Sequence, residues 1–195
     1  MAVSCIILSG GRATRMGGVD KGLVCLQNKP LIQHVIEHLT PQTDEILINA
    51  NREISQYQAF GYLVLPDKTD DFLGPLAGFN LGLQHATHNY LLTVPCDSPL
   101  LPSDLAQRLL KDLMENNADI AVASSDGNAH PVFSLCKKTV LASLNNYLAL
   151  GERRVSAWQK SQQYIEVDFS DCASAFVNLN TFEDLADLEL KLRHA

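Results

Sequence analysis

The chain has 195 residues, 46% of them hydrophobic, enough to bury a substantial core in one domain or in one domain with an appended subregion. A formal net charge of −7 argues against general binding to nucleic acid or to an anionic membrane, so any anion site must be local. Five scattered cysteines, with no C-x-x-C and no Cys/His zinc spacing, read as reduced thiols of a cytosolic protein rather than as a disulfide or zinc framework.

The first apolar run, Val3–Leu8, has the length and β-branched content of a buried strand, and is too short and too poor in preceding basic residues for a signal core. It enters a glycine-rich segment, Gly10-Gly11-Arg12-Ala13-Thr14-Arg15-Met16-Gly17-Gly18-Val19-Asp20-Lys21. Leu31, Ile32, Val35, Ile36 and Leu39 then repeat at helical spacing, with Pro30 suited to the first helical position. Buried strands are predicted over 45–49, 62–65, 90–94 and 120–123. Helices are predicted over 76–86 and, from Ser103 as N-cap, on a face of Leu105, Leu109, Leu110 and Leu113. The second half predicts a strand over 130–135, a helix over 138–150, a strand over 164–167 and a short returning strand over 175–178. Thr181 would cap a last helix built on Leu185, Leu188 and Leu192. No stretch approaches about 18 apolar residues, so no membrane contact is expected. Alternation of this kind implies an α/β fold, Rossmann-like, with a mostly parallel sheet and helices on both faces.

The glycine-rich segment is the main chemical signal. Paired glycines let the backbone approach a ligand, successive amides can converge on phosphate oxygens, and Arg12, Arg15 and Lys21 add charge-assisted donors. A P-loop is excluded because Gly22 follows Lys21 where Ser or Thr is required, and no G-x-G-x-x-G opens a helix. The alternative is a long surface turn with solvated cations. In an open parallel sheet ligands sit beyond the carboxyl ends of the strands, so Gly10, Asn49, Asp67 and Asp97, each following an apolar run, are expected along one rim. Asp97, between Pro95 and Pro99, is a candidate magnesium ligand or a helix cap; magnesium needs only one or two carboxylates beside water and phosphate oxygens. Cys96 reads as a packed thiol. His130 is a structural histidine or a ligand donor, and Trp158 a packing residue or a stacking platform.

From Leu8 to Lys21 the chain resembles the molybdenum cofactor guanylyltransferases, whose Leu-Ala-Gly-Gly, three residues, Arg-Met-Gly, two residues and Asp-Lys are matched with Ser9 in place of Ala. The resemblance extends to Asn49-Ala50-Asn51-Arg52, Pro66-Asp67, Gly74-Pro75-Leu76-Ala77-Gly78, Pro95-Cys96-Asp97-Ser98-Pro99, Gly151-Glu152-Arg153-Arg154-Val155 and Phe176-Val177-Asn178-Leu179-Asn180-Thr181. It implies one nucleotidyltransferase domain over 1–195, with a nucleotide-binding N-terminal half and an acceptor-binding C-terminal half. It implies GMP transfer from GTP to the terminal phosphate of molybdenum-molybdopterin, assisted by Mg2+, in the cytoplasm, with transient contact to other molybdenum cofactor assembly or acceptor proteins.

Leu8, Ser9, Gly10, Gly11, Lys21, Asn49, Asp67 and Asp97 would then bind GTP; Arg15, Lys21 and Asp97 would support catalysis; Asp97 and Asn178 would hold the metal. On the residues alone Asn49, Asp67, Asn178 and Asn180 are equally turn residues. Arg153 and Arg154 would receive the acceptor phosphate or else form an ordinary solvated helix start. Gly10 favours guanine, since the sister cytidylyltransferases carry Ala there. That sister activity and a non-catalytic nucleotide-binding module are the alternatives.

Overall fold

The computed structural model describes residues 1–10, 19–67 and 74–193. Gly11, Arg12 and Arg15 of the glycine-rich segment, and Asp70 and Asp71, lie outside the described residues.

Strand β1 (Val3–Leu8) alternates its side chains between two cores: Val3, Cys5 and Ile7 enter one, Ile6 the other. A one-turn 3-10 helix, Lys21–Leu23, follows, then the two-residue strands β2 (Cys25–Leu26) and β3 (Lys29–Pro30). Gln27 and Asn28, both at positive φ, turn this small hairpin. Pro30 pairs with Cys25 in extended conformation (ψ 141°) and so precedes helix α1 (Leu31–Leu39) rather than opening it. The chain continues through β4 (Glu45–Asn49), the short α2 (Ile54–Gln58), β5 (Leu63–Leu65), α3 (Pro75–His85) and β6 (Tyr90–Pro95). Then come α4 (Leu105–Glu115), β7 (Ile120–Ser125), β8 (Asn128–Lys137), α5 (Leu141–Ala149), α6 (Val155–Lys160), β9 (Tyr164–Asp168) and α7 (Phe182–Arg193).

Among the described residues the main sheet has seven strands in the order β5-β4-β1-β6-β8-β7-β9, and β8 alone runs antiparallel to its neighbours. The expected α/β fold, a mostly parallel sheet covered on both faces, is therefore present. One face packs α1 and α4 through Ile32, Val35, Leu39, Leu105, Leu109 and Leu113. The opposite face packs α3, α5 and α6 through Phe79, Leu83, Leu144 and Trp158. Trp158 is fully buried with its ring edge-on to Phe79 at 6.0 Å, so it is a core residue. A third, smaller cluster of Val24, Leu26, Leu31 and Leu179 receives Leu185, Leu188 and Leu192 of α7. It is this packing that ties the C-terminal helix to the hairpin after Lys21.

Besides Pro30, two further expectations from the sequence differ from the structure. Ser103 does not cap α4: Asp104 immediately precedes the helix and no side-chain cap bond is made. Residues 175–178 are not a strand, because a 3-10 segment spans Ser170–Phe176. Asp168 Oδ1 accepts from Ser170 N at 3.1 Å and Ser170 Oγ at 2.5 Å, a local turn bond that competes with strand pairing. Phe176 then turns inward against His130, Phe133 and Phe169. The Thr181 cap is made: Thr181 Oγ1 accepts from Asp184 N at 3.1 Å, and Asp184 Oδ2 accepts from Thr181 N at 2.8 Å and Asn180 N at 2.9 Å. Among the described residues no helix is long and apolar enough to cross a membrane.

Candidate active site

Parallel pairing places Leu8 opposite both Asn49 and Pro95, and Asn49 opposite Leu65. The residues that follow β1, β4, β5 and β6 therefore emerge along one rim, the end at which open α/β sheets bind ligands. Two polar clusters occupy it.

The first is built on Asp67. Asn49 Nδ2 donates to Asp67 Oδ1 at 2.9 Å and to Leu65 O at 3.0 Å, while Asn51 Nδ2 donates to Asp67 Oδ2 at 2.7 Å. Asp67 N returns a bond to Asn51 Oδ1 at 2.7 Å, so both carboxylate oxygens have a fixed direction. Two glycines let the chain close around this cluster. A Cβ at Gly10 would lie 3.0 Å from Asn51 Nδ2 and 3.1 Å from Asn49 Oδ1, and one at Gly78 only 2.3 Å from Leu8 Cδ2 and 2.7 Å from Asn49 Oδ1. Glycine at position 10 thus has a reason within the protein itself, the two asparagines, beside any effect on base choice. In the sequence Asn51 stands only as part of the Asn49-Ala50-Asn51-Arg52 motif, and its place two residues after Asn49 at a strand end is the one signal of this role.

The second cluster is built on Lys21 and Asp97. Lys21 Nζ donates to Asp97 Oδ2 at 2.8 Å and to Asn180 Oδ1 at 2.7 Å, bringing together residues from three distant parts of the chain. Leu179 N donates to Asp97 O at 3.2 Å, which fastens the segment before α7 to the loop after β6. Asn178 points its Oδ1 elsewhere, accepting from Ser98 Oγ at 2.8 Å. Asp97 and Asn180 therefore aim two hard oxygen donors at one cation position, held here by an ammonium. That donor set suits Mg2+, which takes one or two protein oxygens and completes its shell with phosphate and water.

Beneath Lys21 lies a buried polar knot. Asp20 Oδ1 accepts from Gly22 N at 3.3 Å and from the Tyr57 hydroxyl. Burial raises the Asp20 carboxyl above its ordinary range, opposed by the Tyr57 and Gly22 bonds. Burial likewise raises the Tyr57 phenol and pushes the Cys96 thiol up to about 12, with Asp97 adding to the latter. Cys96 is accordingly held as a thiol, consistent with a packing role. Ser9 Oγ is buried beside these groups and makes no hydrogen bond of ordinary geometry among the described residues. Asp20 enters the sequence reading only as the Asp of the Asp-Lys motif, with no role of its own, and Tyr57 carries no local signal.

The acceptor side is less organised. Arg153 Nη1 donates to Leu148 O at 3.0 Å and Glu152 O at 2.7 Å, and Arg154 stands exposed immediately before α6. Among the described residues neither guanidinium pairs with a carboxylate or reaches the Lys21 or Asp67 cluster by a hydrogen bond. His130 is stacked on Phe176 at 4.7 Å and bonded to Ser125 Oγ at 2.7 Å, the satisfied structural histidine of the two alternatives.

The sequence profile of the family described as "MobA-like NTP transferase domain" matches residues 5–165. The chain is 46% identical over 186 residues to a molybdenum cofactor guanylyltransferase of Shewanella halifaxensis, covering 95% of this chain and 93% of that protein. A molybdenum cofactor guanylyltransferase of Shewanella sp. (strain MR-4) is 44% identical over 195 residues, 100% of this chain and 99% of its own. In fold, the chain is similar to the crystal structure of molybdopterin-guanine dinucleotide biosynthesis protein A from Archaeoglobus fulgidus, with a TM-score of 0.81 and 19% identity over 98% of this chain and 100% of that one.

Proposed function

The chain belongs to the MobA-like NTP transferases, among the molybdenum cofactor guanylyltransferases, and on that footing we propose how its own residues carry GMP from GTP to the terminal phosphate of molybdenum-molybdopterin with release of pyrophosphate. The observation that carries the residue assignment is the meeting of Lys21, Asp97 and Asn180 at the strand ends beside the Asp67 cluster. We take the whole chain as one nucleotidyltransferase unit, with its N-terminal half on the nucleotide and its C-terminal half on the acceptor.

The GTP nucleoside lies against Asn49 and Asp67, whose orientation is braced by Asn51; Leu8, Ser9 and Gly10 form the adjoining floor. The triphosphate follows toward Gly11, Arg15 and Lys21, where backbone amides and cations neutralise it. Asp97 would hold the metal. Of the two asparagines we assign the second oxygen to Asn180 rather than Asn178, because Asn178 Oδ1 is occupied by Ser98. When bound, Mg2+ neutralises charge on the triphosphate and the departing pyrophosphate.

The attacking group is a phosphate and already anionic, so no general base is needed. Lys21 and Arg15 lower the barrier by holding the α-phosphorus in line and by stabilising charge that builds on the leaving oxygens. Arg153 and Arg154, which pair with no carboxylate among the described residues, are available to the acceptor phosphate. The reaction belongs in the cytoplasm, in keeping with scattered, unpaired cysteines, and hand-over of a labile metal-pterin calls for transient contact with other cofactor assembly or acceptor proteins.

Pyrophosphate release with molybdenum-loaded molybdopterin and Mg2+, offering GTP, CTP, ATP and UTP separately, tests the assignment. Release with GTP alone is expected; release mainly with CTP would move the chain to the sister activity.

A further inference from the structure

We propose that Tyr57 is a positioning residue for Lys21, acting through Asp20 to fix the turn from which the lysine reaches the triphosphate. The proposal rests on the reading of Lys21 as a GTP ligand.

Lys21 opens a single 3-10 turn, Lys21–Leu23, and one short turn cannot by itself hold a long flexible side chain. Its two neighbours in sequence are both gripped from below. Asp20, the residue before it, accepts the Tyr57 hydroxyl and uses the same oxygen to accept from Gly22 N, capping the turn. Gly22, the residue after it, lies directly on the phenol: a Cβ there would come 2.6 Å from the Tyr57 hydroxyl oxygen and 3.3 Å from Cys96 Cβ. Tyr57 is completely buried and Asp20 is 5% exposed, so solvent competes little for these bonds.

Burying a carboxylate is costly, and a core built only for stability would be served as well by apolar groups of the same shape. The carboxylate does what an apolar side chain could not. It ties α2, which carries Tyr57 and follows the Asn49-Ala50-Asn51 strand end, to the turn that carries Lys21. The phenol thereby sets the distance between the Asp67 cluster, which holds one end of GTP, and the ammonium that meets the other.

A double-mutant cycle on GTP affinity tests this, with Kd measured by calorimetry in MgCl2 well below each variant's melting temperature. In the protein carrying Lys21, Tyr57→Phe is expected to weaken GTP about tenfold, the scale of one lost buried hydrogen bond to a charged group. In the Lys21→Ala background the same change is expected to have little effect, because there is no ammonium left to position. Equal weakening in both backgrounds would overturn the proposal, since Tyr57 would then act only through general packing. Lys21→Ala leaving GTP affinity intact would overturn the reading of Lys21 itself, and the proposal with it. Should Tyr57→Phe not fold, Asp20→Ala replaces it in the same cycle with the same expectations.

Discussion

Replacing Lys21 by alanine should make the nucleotide-free protein bind a divalent cation more tightly while making it a poorer enzyme. The ammonium stands 2.8 Å from Asp97 Oδ2 and 2.7 Å from Asn180 Oδ1, so a metal approaching these oxygens must displace it. A hydrogen bond to a charged group contributes about 1.5–3 kcal/mol net. The lysine side chain is about a quarter exposed and recovers up to about 2 kcal/mol of rotamer freedom on release, which offsets much of that. The remaining cost of displacement is about 1 kcal/mol, and at about 1.4 kcal/mol per tenfold this predicts roughly fivefold tighter metal binding once the ammonium is gone. The assay is a Mn2+ titration of nucleotide-free protein followed by electron paramagnetic resonance, with Asp97→Ala as the variant that should lose the site. The same Lys21→Ala protein should turn over about 10²-fold more slowly with GTP, the scale of one preorganised electrostatic group. Unchanged or weaker Mn2+ binding in Lys21→Ala would refute the reasoning, because the ammonium would then not be occupying the cation position.

Gly78→Ala should destabilise the protein by about 1–3 kcal/mol and weaken GTP, since its Cβ would overlap Leu8 and press on Asn49; denaturant melts and GTP titrations would show both, and an undisturbed melt would mean that α3 can withdraw. Asp20 carries a native pKa raised by burial, so the folded state holds this proton more tightly than the unfolded one. Stability from this group is therefore lost as pH rises from the ordinary aspartate range through the raised native value. Asp20→Asn, which keeps an acceptor for Tyr57, should melt higher than the parent at neutral pH, with the gap closing in acid; a gap that is flat with pH would contradict the sign. Thr181→Ala should cost about 1 kcal/mol through the lost cap of α7, seen as a lower melting temperature, and no change would mean that Asp184 alone holds the helix start.

Much of the site was legible because it sits where regular elements end. The apolar runs before Gly10, Asn49, Asp67 and Asp97 announce strands, and parallel registers then oblige their carboxyl ends to share a rim. The Thr181 cap was legible for a similar reason, since a capping side chain bonds only a few residues along. Local chemistry also misleads: Ser103 resembles a cap and caps nothing, and Ala175-Phe176-Val177-Asn178 resembles a strand until Asp168 and Ser170 turn the chain. Choosing between Asn178 and Asn180 lay beyond the sequence, because both follow the same turn and differ only in which side chain across the rim each one meets.

By itself the amino-acid order determined the alternation of strands and helices, the glycine-rich cationic segment, and the family to which these motifs belong. Tertiary structure alone decided that Lys21 rests between Asp97 and Asn180, that Asn51 steadies Asp67, and that Tyr57 lies under the turn between Asp20 and Gly22. The physical reason is distance along the chain. Periodicity and capping express interactions within a turn or two of backbone, whereas these contacts join residues 16 to 159 positions apart and exist only once sheet register and helix packing have set which side chains face one another.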